Sequence, residues 1–249
     1  ALPISGDNSV ISVNAEASNT ATKNGIALGS GLNAGNYNVV VGKFNSALTG
    51  SELNAQYGDA FVVGNGTSDT SRSNAFRVDM QGEVYCGGTY NTGGADFAEM
   101  YEWLDGNPNN EDRTGQFVTL EGDKIRIANA ADYVLGVVTA HSSVIGNNPI
   151  DWYGRFQKDV YGRVLKDSEG IPITVPDYDE TQAYIERVKR KEWATVGLLG
   201  QLVVEDDGTC DVNSYCYVLA GIATHTSADY GSYRVLKRLD NNHILILFR

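Results

Sequence analysis

Long apolar runs are missing from this 249-residue chain: the longest are about five residues, as in Ile244 to Phe248. A membrane-spanning helix needs about 20, so no insertion into a bilayer is expected. No basic stretch followed by an apolar one opens the sequence, so no secretory signal is expected either. Basic residues are few, with 19 Lys and Arg against 31 Asp and Glu, a net charge of −12. Phosphate backbones need clustered cations, so nucleic acid is excluded as a bulk partner. The three His (His141, His225, His243) and three Cys (Cys86, Cys210, Cys216) are scattered, without CxxC or HExxH spacing. Zinc sites depend on such spacing, and no metal is expected. Cys210 and Cys216, six apart, read either as a pair that leaves Cys86 odd or as two buried thiols. There is no GxSxG elbow, P-loop or dinucleotide fingerprint, so no cofactor is implied. His141-Ser142-Ser143 sets a base beside hydroxyls, but adjacent residues seldom face one another productively.

Glycine, by contrast, is plentiful, at 28 residues where the usual share of ~7% would give fewer than 20. Its placement divides the chain near residue 90. Residues 1–94 hold 15 glycines and only 11 charged residues, net −3, while residues 95–249 hold 13 glycines and 39 charged residues, net −9. Such a shift marks a change of architecture. Two domains are predicted, 1–94 with a connector at 87–94, and 95–249.

The first part repeats. Ile26-Ala27-Leu28-Gly29, Val39-Val40-Val41-Gly42 and Phe61-Val62-Val63-Gly64 are short apolar runs closed by Gly, spaced by 13 and then 22 residues. A four-residue strand cannot bury its own face, so stacked coils must share a core, with glycines turning the corners. The pattern resembles the head repeats of trimeric autotransporter adhesins and of phage fibres, in which three chains wind into one β-roll. A Gly-rich set of loops and hairpins is the other reading. Asn74 to Cys86 alternates about Gln81-Gly82, a hairpin signal.

The second part also reads as mainly β. Phe117–Leu120 and Ile125–Ala128 flank Glu121-Gly122-Asp123-Lys124 as a hairpin. Val134–Thr139 and Val196–Val204 read as buried strands, and Tyr233–Leu239 with His243–Phe248 as a closing hairpin. Asp96–Leu104, with an Asp cap, is a candidate for helix, and the highly charged Asp179–Trp193 reads as a helix or an exposed arm. The predicted fold class is therefore mainly β: an interwound trimeric β-roll followed by a β-rich globular domain with little helix.

The connector carries the candidate chemistry. In Gly93-Gly94-Ala95-Asp96-Phe97-Ala98-Glu99-Met100-Tyr101-Glu102-Trp103, Asp96 and Glu99 would share one face of a helical turn. Two carboxylates held close cannot both ionise easily, so one can serve as acid and the other as base. A target in the chain's own backbone would replace substrate binding by proximity. Read without that chemistry, the segment is an amphipathic turn with two solvated acids. Asp206-Asp207 is likewise either a pair of acids suited to glycan hydrolysis or simply a turn.

Several long motifs occur in a fixed order: Gly94 to Trp103, Asp105 to Gly115, Trp193 to Gly200 with Asp206 to Cys210, and Tyr233 to Leu239. Over roughly residues 90–249 the chain resembles the C-terminal autoproteolytic intramolecular chaperone domain of phage tail spikes and neck appendages, a glutamic-type autopeptidase. Phe61–Ser68 and Asn74–Phe76 resemble the segment that often precedes it. The resemblance implies a homotrimer in the virion, assembled in the bacterial host cytoplasm. Its partners would be further copies of itself and the upstream fibre shaft, with a host-surface glycan as a candidate ligand. It implies a domain that guides fibre folding and then cuts itself free near Gly93, Gly94, Ala95 and Asp96, with Glu99 catalytic and Asp96 its partner. Some relatives carry a hydroxyl residue before the Asp; Ala95 departs from that, and Ala95→Ser is expected to restore or speed cleavage. The alternative is a non-enzymatic trimeric fibre tip that binds a host receptor.

Overall fold

A computed structural model describes residues 10–11, 19–21, 24–46, 58–149, 154–228 and 232–249. Among these residues the regular elements are all β-strands, apart from one 3₁₀ turn at Arg187–Lys189. The chain divides into two compact units, Ala1–Asn91 and Thr92–Arg249.

The first unit contains β1 (Val10–Ile11), β2 (Thr20–Ala21), β3 (Ile26–Ser30), β4 (Asn33–Ala34), β5 (Val39–Lys43), β6 (Asp59–Asn65), β7 (Asn74–Asp79) and β8 (Val84–Cys86). Strands β1, β3, β5 and β6 are parallel neighbours, and the β7–β8 hairpin continues the sheet antiparallel. The three apolar repeats stack in register, Ile26 beside Val39 beside Phe61 and Gly29 beside Gly42 beside Gly64. Ala27, Val40 and Val62 point inward and form one core with Ala21, Leu32 and Ala34.

The repeat glycines lie inside the strands rather than at corners. A Cβ on Gly29 would lie 1.8 Å from the Gly42 carbonyl oxygen, and one on Gly42 would lie 2.2 Å from that of Gly64. Close backbone approach, reinforced at Gly42 by a φ of +96°, selects glycine there. The corners are held by asparagine. Asn19 accepts from the Leu32 N–H and donates to the Gly29 carbonyl, both at 2.8 Å. Asn45 does the same for Asn33, and Asn74 for Ser46. Each amide thus satisfies one donor and one acceptor of a neighbouring coil, where no ladder partner exists.

The second unit contains β9 (Asp96–Glu102), β10 (Phe117–Glu121), β11 (Lys124–Ile127), β12 (Gly136–Val138), β13 (Val144–Gly146), β14 (Trp193–Glu205), β15 (Tyr215–Leu219), β16 (Ile222–Thr226), β17 (Tyr233–Arg238) and β18 (His243–Phe248). Strand β14 is its axis. Its first half pairs with β9 and β12, and its second half with β18. A bulge between Gly197 and Leu199 shifts the register between the halves. Phe117, Leu202, Val204, Ile244, Ile246 and Phe248 fill the main core, and Trp103, Val118, Ile125 and Val196 a second one. The hairpins β10–β11 and β17–β18 form as their alternation predicts.

Both helix expectations fail. Asp96–Glu102 is strand β9: Asp96, Ala98 and Met100 are buried and alternate with more exposed Phe97, Glu99 and Tyr101. Good helix formers are overruled by the pairing of β9 with β14, since propensity is a weak prior against tertiary context. Asp179–Glu192 is mostly irregular and exposed, as an arm would be, with the 3₁₀ turn at Arg187–Lys189, and Trp193 opens β14. The segment is anchored by side chains, with the Arg187 guanidinium 3.8 Å from the Trp193 ring centroid. Cys210 and Cys216 are free, buried thiols, and Cys86 is an exposed one.

Candidate active site

Strand β9 sets the geometry. Asp96 pairs with Gly200, and Ala98 with Gly197. The Asp96 side chain points inward and the residue is only 4% exposed. Its carboxylate rests against Gly197, where a Cβ would lie 2.9 Å from Oδ2. The glycine therefore makes the space that the acid occupies. Ser142 Oγ donates to Asp96 Oδ2 at 3.1 Å. Burial pushes the Asp96 pKa up from the ordinary carboxylate range; hydrogen bonds from Ser142 and Thr139 and the nearby His141 pull the other way without cancelling it.

Upstream of Asp96 the backbone is confined. A Cβ on Gly94 would lie 2.4 Å from the Ser142 carbonyl carbon, and one on Gly200 would lie 2.3 Å from the Ala95 carbonyl oxygen. Ser143 Oγ donates to the Gly94 carbonyl, and Thr92 Oγ1 lies 2.8 Å from Ser143 Oγ. A Cβ on Gly93 would meet His141 Nε2 at 3.3 Å. Asp96 also borders a cleft of about 480 Å³, which it shares with Asp112, His141, Gln201, Glu205 and His243. A buried carboxyl with a raised pKa, beside a tightly held backbone, can support proton transfer at a peptide bond.

Glu99 is placed elsewhere. In an extended strand, residues three apart face opposite sides of the sheet, so Asp96 and Glu99 do not share a face as a helical turn would have them do. Glu99 accepts from Tyr101 Oη at 3.2 Å and lies beside Gly146 of β13. Its face also carries Phe97, Val144 and Leu199, which are adjacent across the register and all exposed.

The other candidate sites resolve into structure. Asp206 is buried and bound to Arg238 Nη2 at 2.6 Å, and Asp207 accepts from the Thr209 N–H and hydroxyl in a turn. Among the described residues, Asp206, Asp207 and Cys210 bring potential ligand atoms within 4.8 Å of one another. The guanidinium already neutralises Asp206 there, which disfavours a cation. The contribution of His141, Ser142 and Ser143 is the part that sequence reasoning discounted. Its members do not act on one another; the parallel pairing of β13 with β9 sets the two serines just before it against Gly94 and Asp96.

Residues 45–171 and 169–242 match the family described as Peptidase_G2, IMC autoproteolytic cleavage domain. The pre-neck appendage protein of Bacillus phage phi29 is 34% identical over 157 residues, covering 59% of this chain and 18% of that protein. The putative phage-related protein YobO of Bacillus subtilis (strain 168) is 38% identical over 136 residues, covering 50% of this chain and 17% of that protein. This chain thus spans less than a fifth of the curated relatives it matches. The crystal structure of pre-mature bacteriophage phi29 gene product 12 superposes with a TM-score of 0.71 at 22% identity, over 98% of this chain and 34% of that one, and shares its fold. The C-terminal fragment of the same product superposes at 0.51 and 28% identity, over 62% of this chain and the whole of that fragment. Since the matched residues span both units and take in β9, its confined upstream backbone and β14, the chain belongs to the Peptidase_G2, IMC autoproteolytic cleavage domain family.

Proposed function

We propose that this chain is the self-cleaving assembly module of a phage appendage, a glutamic-type autopeptidase carried into the virion as part of a homotrimer. Its Gly- and Asn-rich unit belongs to the fibre, whose three chains wind together. Its second unit brings the chains into register and then cuts the backbone between Gly93 and Asp96. The observation that carries this reading is the buried Asp96, with its raised pKa, at the end of a confined backbone. A cut before Asp96 leaves 154 residues downstream, the same 62% share of this chain that the phi29 C-terminal fragment covers.

Asp96, its pKa raised by burial, gives a proton to the leaving nitrogen. Glu99 takes a proton from the attacking water, whose hydroxyl joins the carbonyl carbon as the C–N bond breaks. An acid and an amine result, and the proton on Glu99 returns to Asp96 through solvent. Because Glu99 faces away from Asp96 in its own chain, a neighbouring copy supplies it. The exposed Phe97, Val144 and Leu199 around Glu99 are the kind of surface that another subunit covers. Cleavage then waits for assembly, and release leaves the fibre kinetically trapped.

Denaturing gels of freshly expressed protein test this reading. Fragments of about 95 and 154 residues are expected, absent from Glu99→Gln and retained in Asp206→Ala. Cleavage at one rate in monomer and trimer would remove the shared site. A chain that stays whole even as Ala95→Ser would leave a non-enzymatic fibre tip that binds a host-surface glycan.

A further inference from the structure

The segment Thr139–Ser143 joins β12 to β13, and β13 runs parallel to β9 with Val144 beside Phe97. That register delivers two serines to the backbone upstream of Asp96. The Ser143 N–H donates to the Asp96 carbonyl at 2.8 Å, and Ser143 Oγ donates to the Gly94 carbonyl. Ser142 Oγ donates to Asp96 Oδ2. From the other side, the Gln201 N–H donates to the Ala95 carbonyl at 3.2 Å. Three successive carbonyls, Gly94, Ala95 and Asp96, are therefore each held, the first and third by Ser143 and the middle one by β14. Thr92 Oγ1 closes the arrangement, 2.8 Å from Ser143 Oγ and 3.2 Å from the Gly94 oxygen.

Strand pairing accounts for the Ser143 N–H and nothing more. The two hydroxyls are additional: one fixes a backbone carbonyl on the N-terminal side of the bonds at issue, and the other fixes the acid on the C-terminal side. We propose that Ser142 and Ser143 are positioning residues for self-cleavage, Ser143 holding the Gly94 carbonyl and Ser142 holding the Asp96 carboxyl in the orientation that reaches the leaving nitrogen. This rests on the self-cleavage reading above. A group held within a few tenths of an ångström of its reacting geometry gains most of the proximity effect, and loosening it by about 1 Å costs about 100-fold in rate.

The groups facing Asp96 are His141 and Thr139 from the same segment, Asp112, Glu205 and His243 across the cleft, and the Gln201 backbone from β14. None of these changes in a Ser142 variant. Removing the Ser142 hydroxyl takes away a hydrogen bond that lowers the Asp96 pKa, so the acid stays protonated to higher pH. For a general acid, activity is lost as pH rises through its pKa. The alkaline limb of the cleavage profile therefore moves upward in Ser142→Ala.

The test follows the cleavage time course against pH in the full chain for the parent and for Ser142→Ala, Ser143→Ala and Ser143→Thr. Ser142→Ala is expected to slow cleavage at least about 10-fold with its alkaline limb displaced upward. Ser143→Ala is expected to slow it about 100-fold with the limb unmoved, and Ser143→Thr to recover most of that loss. Ala variants that cleave at the parental rate with an unmoved limb overturn the proposal. So does equal loss in Ser143→Ala and Ser143→Thr, which would mean that packing, not the hydroxyl, is what matters. A chain that stays whole even as Ala95→Ser overturns the self-cleavage reading itself, and this proposal with it.

Discussion

Gly197→Ala links the core to the site in one atom. The new Cβ would lie 2.3 Å from Leu202 Cδ2 and 2.9 Å from Asp96 Oδ2. Leu202 is 1% exposed within the main core, so it cannot swing out, and the cost is that of overpacking, about 1–3 kcal/mol. Gly197 is not in the left-handed region, so no backbone strain adds to this figure. For a unit of this size each kcal/mol lowers Tm by about 2–4 °C, giving a drop of roughly 2–12 °C. The same methyl displaces the Asp96 carboxylate, and a misplacement of about 1 Å costs about 100-fold in cleavage rate. Gly122→Ala is the control: nothing lies within 4 Å of its Cβ position, and only its φ of +65° is unfavourable, worth about 1–2 kcal/mol. Scanning calorimetry in an Asp96→Asn background, paired with cleavage time courses in the parent background, reads both effects. If Gly197→Ala melts and cleaves like the parent, the packing of Asp96 against Gly197 is refuted.

Burial raises the Asp96 pKa, so the folded state holds that proton more tightly than the unfolded chain, and stability falls as pH rises from about 4 towards the folded value. Asp96→Asn is therefore expected to raise Tm at neutral pH while abolishing cleavage; urea unfolding at pH 4 and pH 7 should show a gain only at the higher pH. Arg238→Met leaves the buried Asp206 carboxylate without its partner and is expected to cost about 3–5 kcal/mol, with Asp206→Asn in the same chain recovering part of it. Gly42→Ala combines a positive φ with a carbonyl 2.2 Å away, and is expected to destabilise the first unit by at least about 2 kcal/mol, seen as earlier proteolysis of residues 1–91. Burial pushes the Cys216 thiol up to about 12 and raises that of Cys210 as well, so one thiol, Cys86, should react rapidly with a maleimide and the other two only on unfolding.

The parts of this fold that were legible in the sequence are those set by local pattern. The Gly-closed repeats could be aligned by eye because their in-register stacking puts like residues side by side, Gly29 on Gly42 on Gly64. The β10–β11 and β17–β18 hairpins announced themselves by alternation around short polar turns. What was not legible depends on distant partners. Asp96–Glu102 looks helical until β14 lies beside it, about 100 residues away. That misreading put Asp96 and Glu99 on one face and hid the fact that they point apart. The serines were visible as residues but not as neighbours of Asp96, because the pairing of β13 with β9 has no local signature. Of the two acids, the position of Asp96 beside the confined glycines follows from adjacency alone, and only its burial needed the structure.

Intact-mass spectrometry of the purified parent, Asp96→Asn and Glu99→Gln chains tests the central claim most directly. The account predicts two products in the parent, meeting within Gly93–Asp96, and a single mass of the whole 249-residue chain in both variants. Products of the same mass in Asp96→Asn would contradict it, because the buried acid would then have no part in the cut.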